Sequence, residues 1–366
     1  MKKVIGIYCG DCGYDLVWDD EIVRNQGAGG SETWVVEIAS EFQRRGFHVI
    51  VFGNPPYWRF AVDGVEYFPR ENFRARCEYQ HFDYFIFWRE IDEMFPTLDC
   101  PEIYVIAEDM YVHSRNGIHF NKIKKVAYLS EWAKEFLKSR LLIPDENLFK
   151  TFNPVPIDNY LDVDTYTKKN KMVWSSTVHR ALPYFLKEVF PRIKEAVPDF
   201  TVDVCSYLNT DTSKFKTEGV NFLGKLNKKE LSEVQKESKI WTYPNDGIFY
   251  TGNNDTFFQE TFCNTAVENG LAKNAVFCFN IGGVADTMEK YEGVIGRELG
   301  DKYLRRMRMD DDDLLYATNK IVESSIKALT DEDYRRDIAN KAFEICKKYS
   351  PSNSVDTWLK EWKIIK

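Results

Sequence analysis

The sequence predicts an α/β protein built as two consecutive doubly wound domains. Three observations lead there. Short apolar strand patterns alternate with helical patterns along the whole chain, as they do where helices pack on parallel sheets. The alternation breaks at Asn153-Pro-Val-Pro156 and through the polar, charged residues 162–171, after which a second series begins. With 366 residues, 44% hydrophobic and 15% aromatic, the chain has core material for two domains of ordinary size. No internal repeat of fixed period is visible.

In chain order, residues 4–8 read as a buried strand. Residues 32–45 carry helical periodicity and end at Gly46, and residues 48–52 form the next strand. Residues 84–88, 103–107 and 126–129 are further strands, and Ser130 is placed to cap a helix over 131–140. The second series runs through strands at 172–174, 201–205, 220–223, 240–243 and 275–279. The run Asp310-Asp-Asp-Asp313 is expected to cap and charge the start of a helix, not to hold a metal. In the closing segment, Trp358 and Trp362 stand four apart, on one face of a helix.

Composition excludes several classes. The net charge is −8, most of it in residues 1–155, so neither nucleic acid nor an anionic membrane is a general partner. Basic spots at Lys122/Lys124/Lys125 and Arg305/Arg306/Arg308 read as solvated faces, with membrane contact at most peripheral. No apolar run approaches the roughly 20 residues of a membrane span. The N-terminal residues lead straight into a strand and do not read as a signal peptide, which favours a cytoplasmic protein. The eight cysteines are scattered, most inside apolar runs, as reduced buried thiols are. Cys9-Gly-Asp-Cys12 has zinc-like spacing but no second Cys/His pair nearby, so a turn is expected there and no metal.

The most informative stretch is Glu260-Thr-Phe-Cys-Asn-Thr-Ala-Val-Glu268, two carboxylates flanking the start of an apolar helical pattern. Eight helical residues rotate by about 80° beyond two full turns. With Glu260 before the helix and Glu268 inside it, both reach one cleft at different depths. Such a pair can accept hydrogen bonds from hydroxyls, while the helix N-terminus between them offers amides to an anion. That combination suits a sugar nucleotide, with hydroxyls at both ends and diphosphate between. A surface helix with two unrelated glutamates has the same spacing.

The stretch continues through Gly270, the run Ala275-Val-Phe-Cys-Phe279 and Gly282-Gly283. This pattern resembles the donor-site signature of the retaining GT-B glycosyltransferases of family 4, with Asn269 in place of the usual small residue after the second glutamate. The resemblance implies a GT-B fold, two Rossmann-like domains facing each other across a cleft. The boundaries implied are residues 1–155 for the acceptor-side domain, with 350–366 returning onto it, and 156–349 for the nucleotide-sugar domain. Glu260 would then contact the transferred sugar and Glu268 the ribose. Thr261, Phe262, Cys263, Asn264 and Thr265 would surround the diphosphate.

Gln26-Gly-Ala-Gly-Gly-Ser31 opens a helix after the first strand but is not a dinucleotide fingerprint. Its third glycine position is Glu32, and no acidic residue follows the second strand at Phe52-Gly53-Asn54. A helix-entry turn explains the loop as well as the family's Gly-Gly loop does; Gly29 and Gly30 match the latter. In Trp174-Ser-Ser-Thr-Val-His-Arg-Ala-Leu182, Arg180 fits one of the family's two phosphate cations, while Ser176 (or Ser175) stands where the other would be. Lys225 is a candidate substitute. On the acceptor side Glu108-Asp109 occupies the place of the family's His-Asp, with Arg89 on the neighbouring strand. None of the five histidines, His113, His119 and His179 among them, makes a convincing general base.

The activity implied is transfer of a sugar from a nucleotide diphosphate to an acceptor hydroxyl (glycan, lipid or protein-linked), with retention and without a cofactor or metal. Glu260, Arg180 and Glu108 are the expected catalytic residues. Paired carboxylates also occur in glycoside hydrolases, which have no need of phosphate-binding elements. A GT-B-fold nucleotide-sugar epimerase and a catalytically silent sugar-nucleotide-binding subunit are the alternatives.

Overall fold

The computed structural model describes residues 2–10, 16–61, 63–91, 97–110, 112, 122–206, 212–252, 255–303 and 306–366. Cys12, His113, His119 and Arg305 lie outside these. Two compact units are present, Met1–Pro154 with Ser350–Lys366, and Val155–Tyr349.

The first unit is built on an eight-stranded sheet. Its strands are β1 (Val4–Cys9), β2 (His48–Gly53), β3 (Arg59–Phe60), β4 (Glu66–Pro69), β5 (Tyr84–Trp88), β6 (Glu102–Ile106), β7 (Ile123–Tyr128) and β8 (Leu148–Lys150). The order is β3-β4-β2-β1-β5-β6-β7-β8, parallel throughout except for the β3–β4 pair. The strand order therefore reverses between β1 and β5, where doubly wound sheets open a crevice at the carboxyl ends of their strands. β5 is buried along its whole length, which is why it reads as an unbroken apolar run. β7 starts three residues earlier than its apolar pattern suggests. Lys124 and Lys125 interrupt that pattern, and Lys125 reaches Glu361 at 2.9 Å while Lys124 is exposed beside Glu102.

The helix Gly30–Arg44 covers this sheet with Trp34, Val35, Ile38 and Phe42. The helix Glu131–Leu141 starts where Ser130 accepts the amide of Ala133 at 3.1 Å. The final helix, Pro351–Glu361, packs on the first unit through its tryptophans. Trp362 stacks on Tyr84 at 4.1 Å and on Phe42 at 5.2 Å, and Trp358 lies edge-on to Phe149 at 4.9 Å. Asp356 adds an ion pair to Arg45 at 2.9 Å.

The second unit repeats the plan. Its strands are β9 (Lys171–Trp174), β10 (Thr201–Cys205), β11 (Val220–Gly224), β12 (Ile240–Tyr243), β13 (Ile248–Phe249), β14 (Thr256–Phe257), β15 (Ala275–Phe279) and β16 (Val294–Ile295). β11-β10-β9 and β12-β15-β16 are each parallel. The two abut through a Lys169–Ser238 bridge and the Lys239 amide donating to Lys171 O at 3.2 Å. The reversal here falls between β9 and β12. β13 and β14 form a small antiparallel hairpin that the apolar pattern does not announce. Helices Asp311–Thr330 and Glu332–Cys346 pack on this unit. Asp310 sits at the N-cap of the former without capping it, because its carboxylate is drawn to Arg306 at 2.8 Å and Lys302 at 2.5 Å. Asp311, Asp312 and Asp313 do charge the first turn.

Candidate active site

Glu260 is placed by backbone packing. It precedes the helix Asn264–Leu271, and its carbonyl accepts the amide of Gly283 at 2.5 Å. A Cβ on Gly283 would stand 2.3 Å from the carbonyl oxygen of Thr261. Gly282 has φ +68°, and a Cβ there would meet the Gln259 side chain at 2.4 Å. The Gly-Gly turn after β15 is thus what lets two backbone segments touch and presents Glu260 at the strand ends. Gln259 is itself fixed, accepting from Asn245 at 3.0 Å and donating to Met307 O at 2.6 Å.

Three side chains converge there. Tyr243, at the end of β12, donates to Glu260 Oε1 at 2.8 Å, and Arg180 Nη1 lies 3.6 Å from the same oxygen. Burial, and then the Glu260 charge, hold the Tyr243 phenol well above its ordinary range, so it stays a donor. The Arg180 guanidinium lies over the Phe258 ring, 4.1 Å from its centroid. The loop carrying Arg180 is pinned to the β13–β14 hairpin: Tyr250 N donates to His179 O at 2.8 Å, and Arg180 bridges Phe249. Ala181 takes a left-handed conformation, φ +51°, directly after Arg180. Such a residue costs on the order of 1–3 kcal/mol and is held by its surroundings.

The helix that follows has no side-chain cap at Cys263 and no acidic residue in its first turn, a start suited to an anion. Asn264 Oδ1, Ser175 Oγ and Thr177 Oγ1 are buried with no hydrogen-bond partner among the described residues. Buried polar atoms are rarely left so. Thr261, Phe262 and Cys263 are buried, and Phe262 packs edge-on against Tyr349 at 5.1 Å, so its side chain serves the core. Glu268 lies inside the helix and is buried, which sets aside the alternative of a surface helix for this carboxylate. Lys228 holds it at 2.6 Å, and Gln235 donates to it at 3.4 Å. Asn269 bonds Thr265 O and Asn274, both at 2.8 Å, which gives the departure from the family pattern a structural role. Ser176 is half-buried in the Arg180 loop, and Lys225 is exposed just past β11.

Sequence reasoning missed Tyr243, Phe258 and Lys228. Lys228 opens a helix whose capping box is Asn227 and Glu230. A lysine at a helix start opposes the dipole, and that was the signal that it answers a buried carboxylate.

The first unit gathers a second cluster at its strand reversal. Gly29 is the N-cap of the helix beginning at Gly30, and Thr33 Oγ1 donates back to Gly29 O at 2.8 Å. Arg89 follows β5 at φ +65°, pairs with Asp109, lies over Trp88 and donates to Ser31 at 3.4 Å. Trp88 Nε1 donates to Glu108 Oε2 at 2.7 Å. Burial pushes the Glu108 carboxyl up to about 8, against the lowering influence of Arg89 and of hydrogen bonds from Trp88 and Ser31. Ser31 and Trp88 were not foreseen. No set of three His, Cys, Asp or Glu side chains among the described residues is arranged to hold a metal ion, and no described helix is long and apolar enough to cross a membrane.

No family model matches the chain, and no curated protein is detectably similar in sequence. Solved structures do match. The sucrose-phosphate synthase of Thermosynechococcus elongatus superposes with a TM-score of 0.69 at 10% identity, over 99% of each chain. A glycosyltransferase from Rickettsia africae gives 0.67 at 12% identity, over 99% of this chain and 98% of that one. HepE of Anabaena, solved with UDP and glucose, gives 0.59 at 13%, over 100% and 99%. The fold is GT-B. Within that fold the Glu260–Arg180–Tyr243 cluster and the Glu108–Arg89 cluster each lie at the strand reversal of a Rossmann-like unit, the usual place for ligands.

Proposed function

We propose that the chain is a glycosyltransferase that moves a sugar from a nucleoside diphosphate to an acceptor hydroxyl, with retention at the anomeric carbon and without a metal. The observation that carries this reading is Glu260 held by Tyr243 and facing Arg180, immediately before an uncapped helix N-terminus. HepE, which shares the fold, was solved with UDP and glucose. Glu268 takes the ribose hydroxyls, its carboxylate oriented by Lys228 and Gln235. Arg180 and the amides at Asn264 and Thr265 meet the diphosphate, and Glu260 accepts from sugar hydroxyls.

In the reaction the bond from the anomeric carbon to the diphosphate oxygen breaks as charge grows on the phosphate, where Arg180 and the helix amides are already in place. The departing oxygen takes the acceptor's hydroxyl proton, and the acceptor oxygen bonds to the anomeric carbon on the same face. No protein nucleophile takes part. Glu108, Asp109 and Arg89 contribute to the acceptor side.

The test is incubation with a panel of nucleotide sugars, following free nucleoside diphosphate with and without glycan and lipid acceptors. Acceptor-dependent release is expected. Sugar interconversion without an acceptor would make the chain an epimerase, and tight binding with no turnover of any donor would make it a binding subunit.

A further inference from the structure

The second unit contains another polar cavity, at the far end of the helix Asn264–Leu271. Its volume is about 360 Å³, and Asp164, Tyr166, Lys168, Lys273, Arg335 and Arg336 line it. Four cations thus stand against Asp164 and one more carboxylate, Glu332. Arg335 is buried and forks onto Glu332 at 2.6 and 2.9 Å, and Arg336 shares a Glu332 oxygen at 2.9 Å. Lys273 pairs with both Asp164 oxygens at 2.6 and 2.7 Å, but the Asp164 side chain is 77% exposed, so water screens the pair. Lys168 donates to neutral oxygens, Ala272 O and, at 2.8 Å, Asn274 Oδ1. Burial, then repulsion from Arg335, draws its ammonium down to about 7, with Asp164, Lys273 and Glu332 the other charges facing it.

With Lys168 protonated, the four cations exceed the two carboxylates by two charges, and part of that excess is desolvated. A phosphomonoester carries close to two negative charges at neutral pH and accepts several charge-assisted hydrogen bonds. Val163 and Ala339 give the cavity an apolar side, and its size is that of a small-metabolite pocket, not of a bare ion. We propose that this cavity binds a phosphate-bearing small molecule, its phosphate held by Lys168, Lys273 and Arg336. The inference does not depend on sugar transfer at the Glu260 site.

The full chain is titrated at pH 7 by calorimetry with inorganic phosphate and with glycerol 3-phosphate, in about 0.15 M salt so that weak surface association is screened. Each titration is run in two buffers of different ionisation enthalpy. One saturable site is expected, with net proton uptake, because an anion beside Lys168 favours its charged form. Lys168→Met with Lys273→Ala should weaken binding by about 10-fold or more, while Arg180→Ala should leave it unchanged. Arg336→Ala, at an exposed position, should weaken it in the same direction and serves if the double variant does not fold. Tighter binding of the ester supports an organic phosphate as occupant, and equal or weaker binding overturns the ester in favour of free phosphate. Absence of saturable binding of both probes overturns the site. So does binding that Arg180→Ala abolishes and the lysine variants keep, because the phosphate would then sit by Glu260.

Discussion

Arg180 sits over an aromatic face at 4.1 Å with its Nη1 3.6 Å from Glu260 Oε1, and a planar guanidinium is the group that matches two phosphate oxygens at once. Arg180→Ala should weaken nucleoside diphosphate binding by about 10- to 100-fold, the range for charge-assisted bonds, with little effect on the bare nucleoside. Equal losses for both ligands in calorimetry would remove Arg180 from the phosphate. Glu260→Gln keeps the Tyr243 contact but not the carboxylate charge. Near-normal diphosphate binding with turnover lowered by roughly 10²-fold, about 2.7 kcal/mol of barrier, is expected. Turnover rates and diphosphate affinity falling together would place the residue on the nucleotide. Glu108 offers a test of environment. Its carboxyl moves from an ordinary value of 4.5 to about 8, so the folded state keeps a proton that the unfolded chain loses between those values. Stability then falls as pH rises from about 4.5 to 8 and levels beyond it. Glutamine does not titrate, so in urea melts Glu108→Gln should gain on the native chain across that window. A constant difference at every pH would show that folding does not change the proton occupancy of the carboxyl, and so that burial does not raise it.

The elements that present these residues differ in how far the sequence announces them. The helix at 264 and the strand at 275 were legible because one has an apolar helical face and the other is buried on both faces. The spacing of Glu260 and Glu268 then follows from where that helix starts. The β13–β14 hairpin was not legible: its strands are two residues long, and its role is to pair with the loop of Arg180 through Phe249 and Tyr250. Tyr243 was hidden in an apolar strand whose last phenol happens to face Glu260. What sequence pattern does show, in Gly282-Gly283, is a place where no side chain fits. Gly283→Ala would force a methyl to 2.3 Å from a backbone oxygen, which cannot turn aside as a flexible side chain does. A loss of about 1–3 kcal/mol is expected from such overpacking, together with loss of Glu260-dependent turnover. Unchanged thermal stability and unchanged rate would show that the turn yields, and that Glu260 is placed by other contacts.

At the scale of the molecule, the chain's order and its division differ, because residues 350–366 end the sequence yet belong to the first compact unit. The sequence shows why. Trp358 and Trp362, four apart on a helix, need an apolar surface, and Tyr84, Phe42 and Phe149 of the first unit supply it. Ser350 and Pro351 start the helix at the point where the chain leaves the second unit, with Ser350 accepting the Asn353 amide at 3.2 Å. Trp358 is fully buried, so Trp358→Ala removes a large side chain and leaves a cavity, at a cost of about 3–5 kcal/mol. That loss should fall on one unit. Hydrogen exchange followed by mass spectrometry is expected to show β1, β5 and β6 losing protection while β9, β12 and β15 keep theirs, since contiguous cooperative units open with free energies of their own. Calorimetric unfolding should then resolve an early transition for the first unit ahead of the second. Equal loss of protection in both sheets would mean that the two units unfold as one, and that the last helix stabilises the whole chain and not only the sheet it covers.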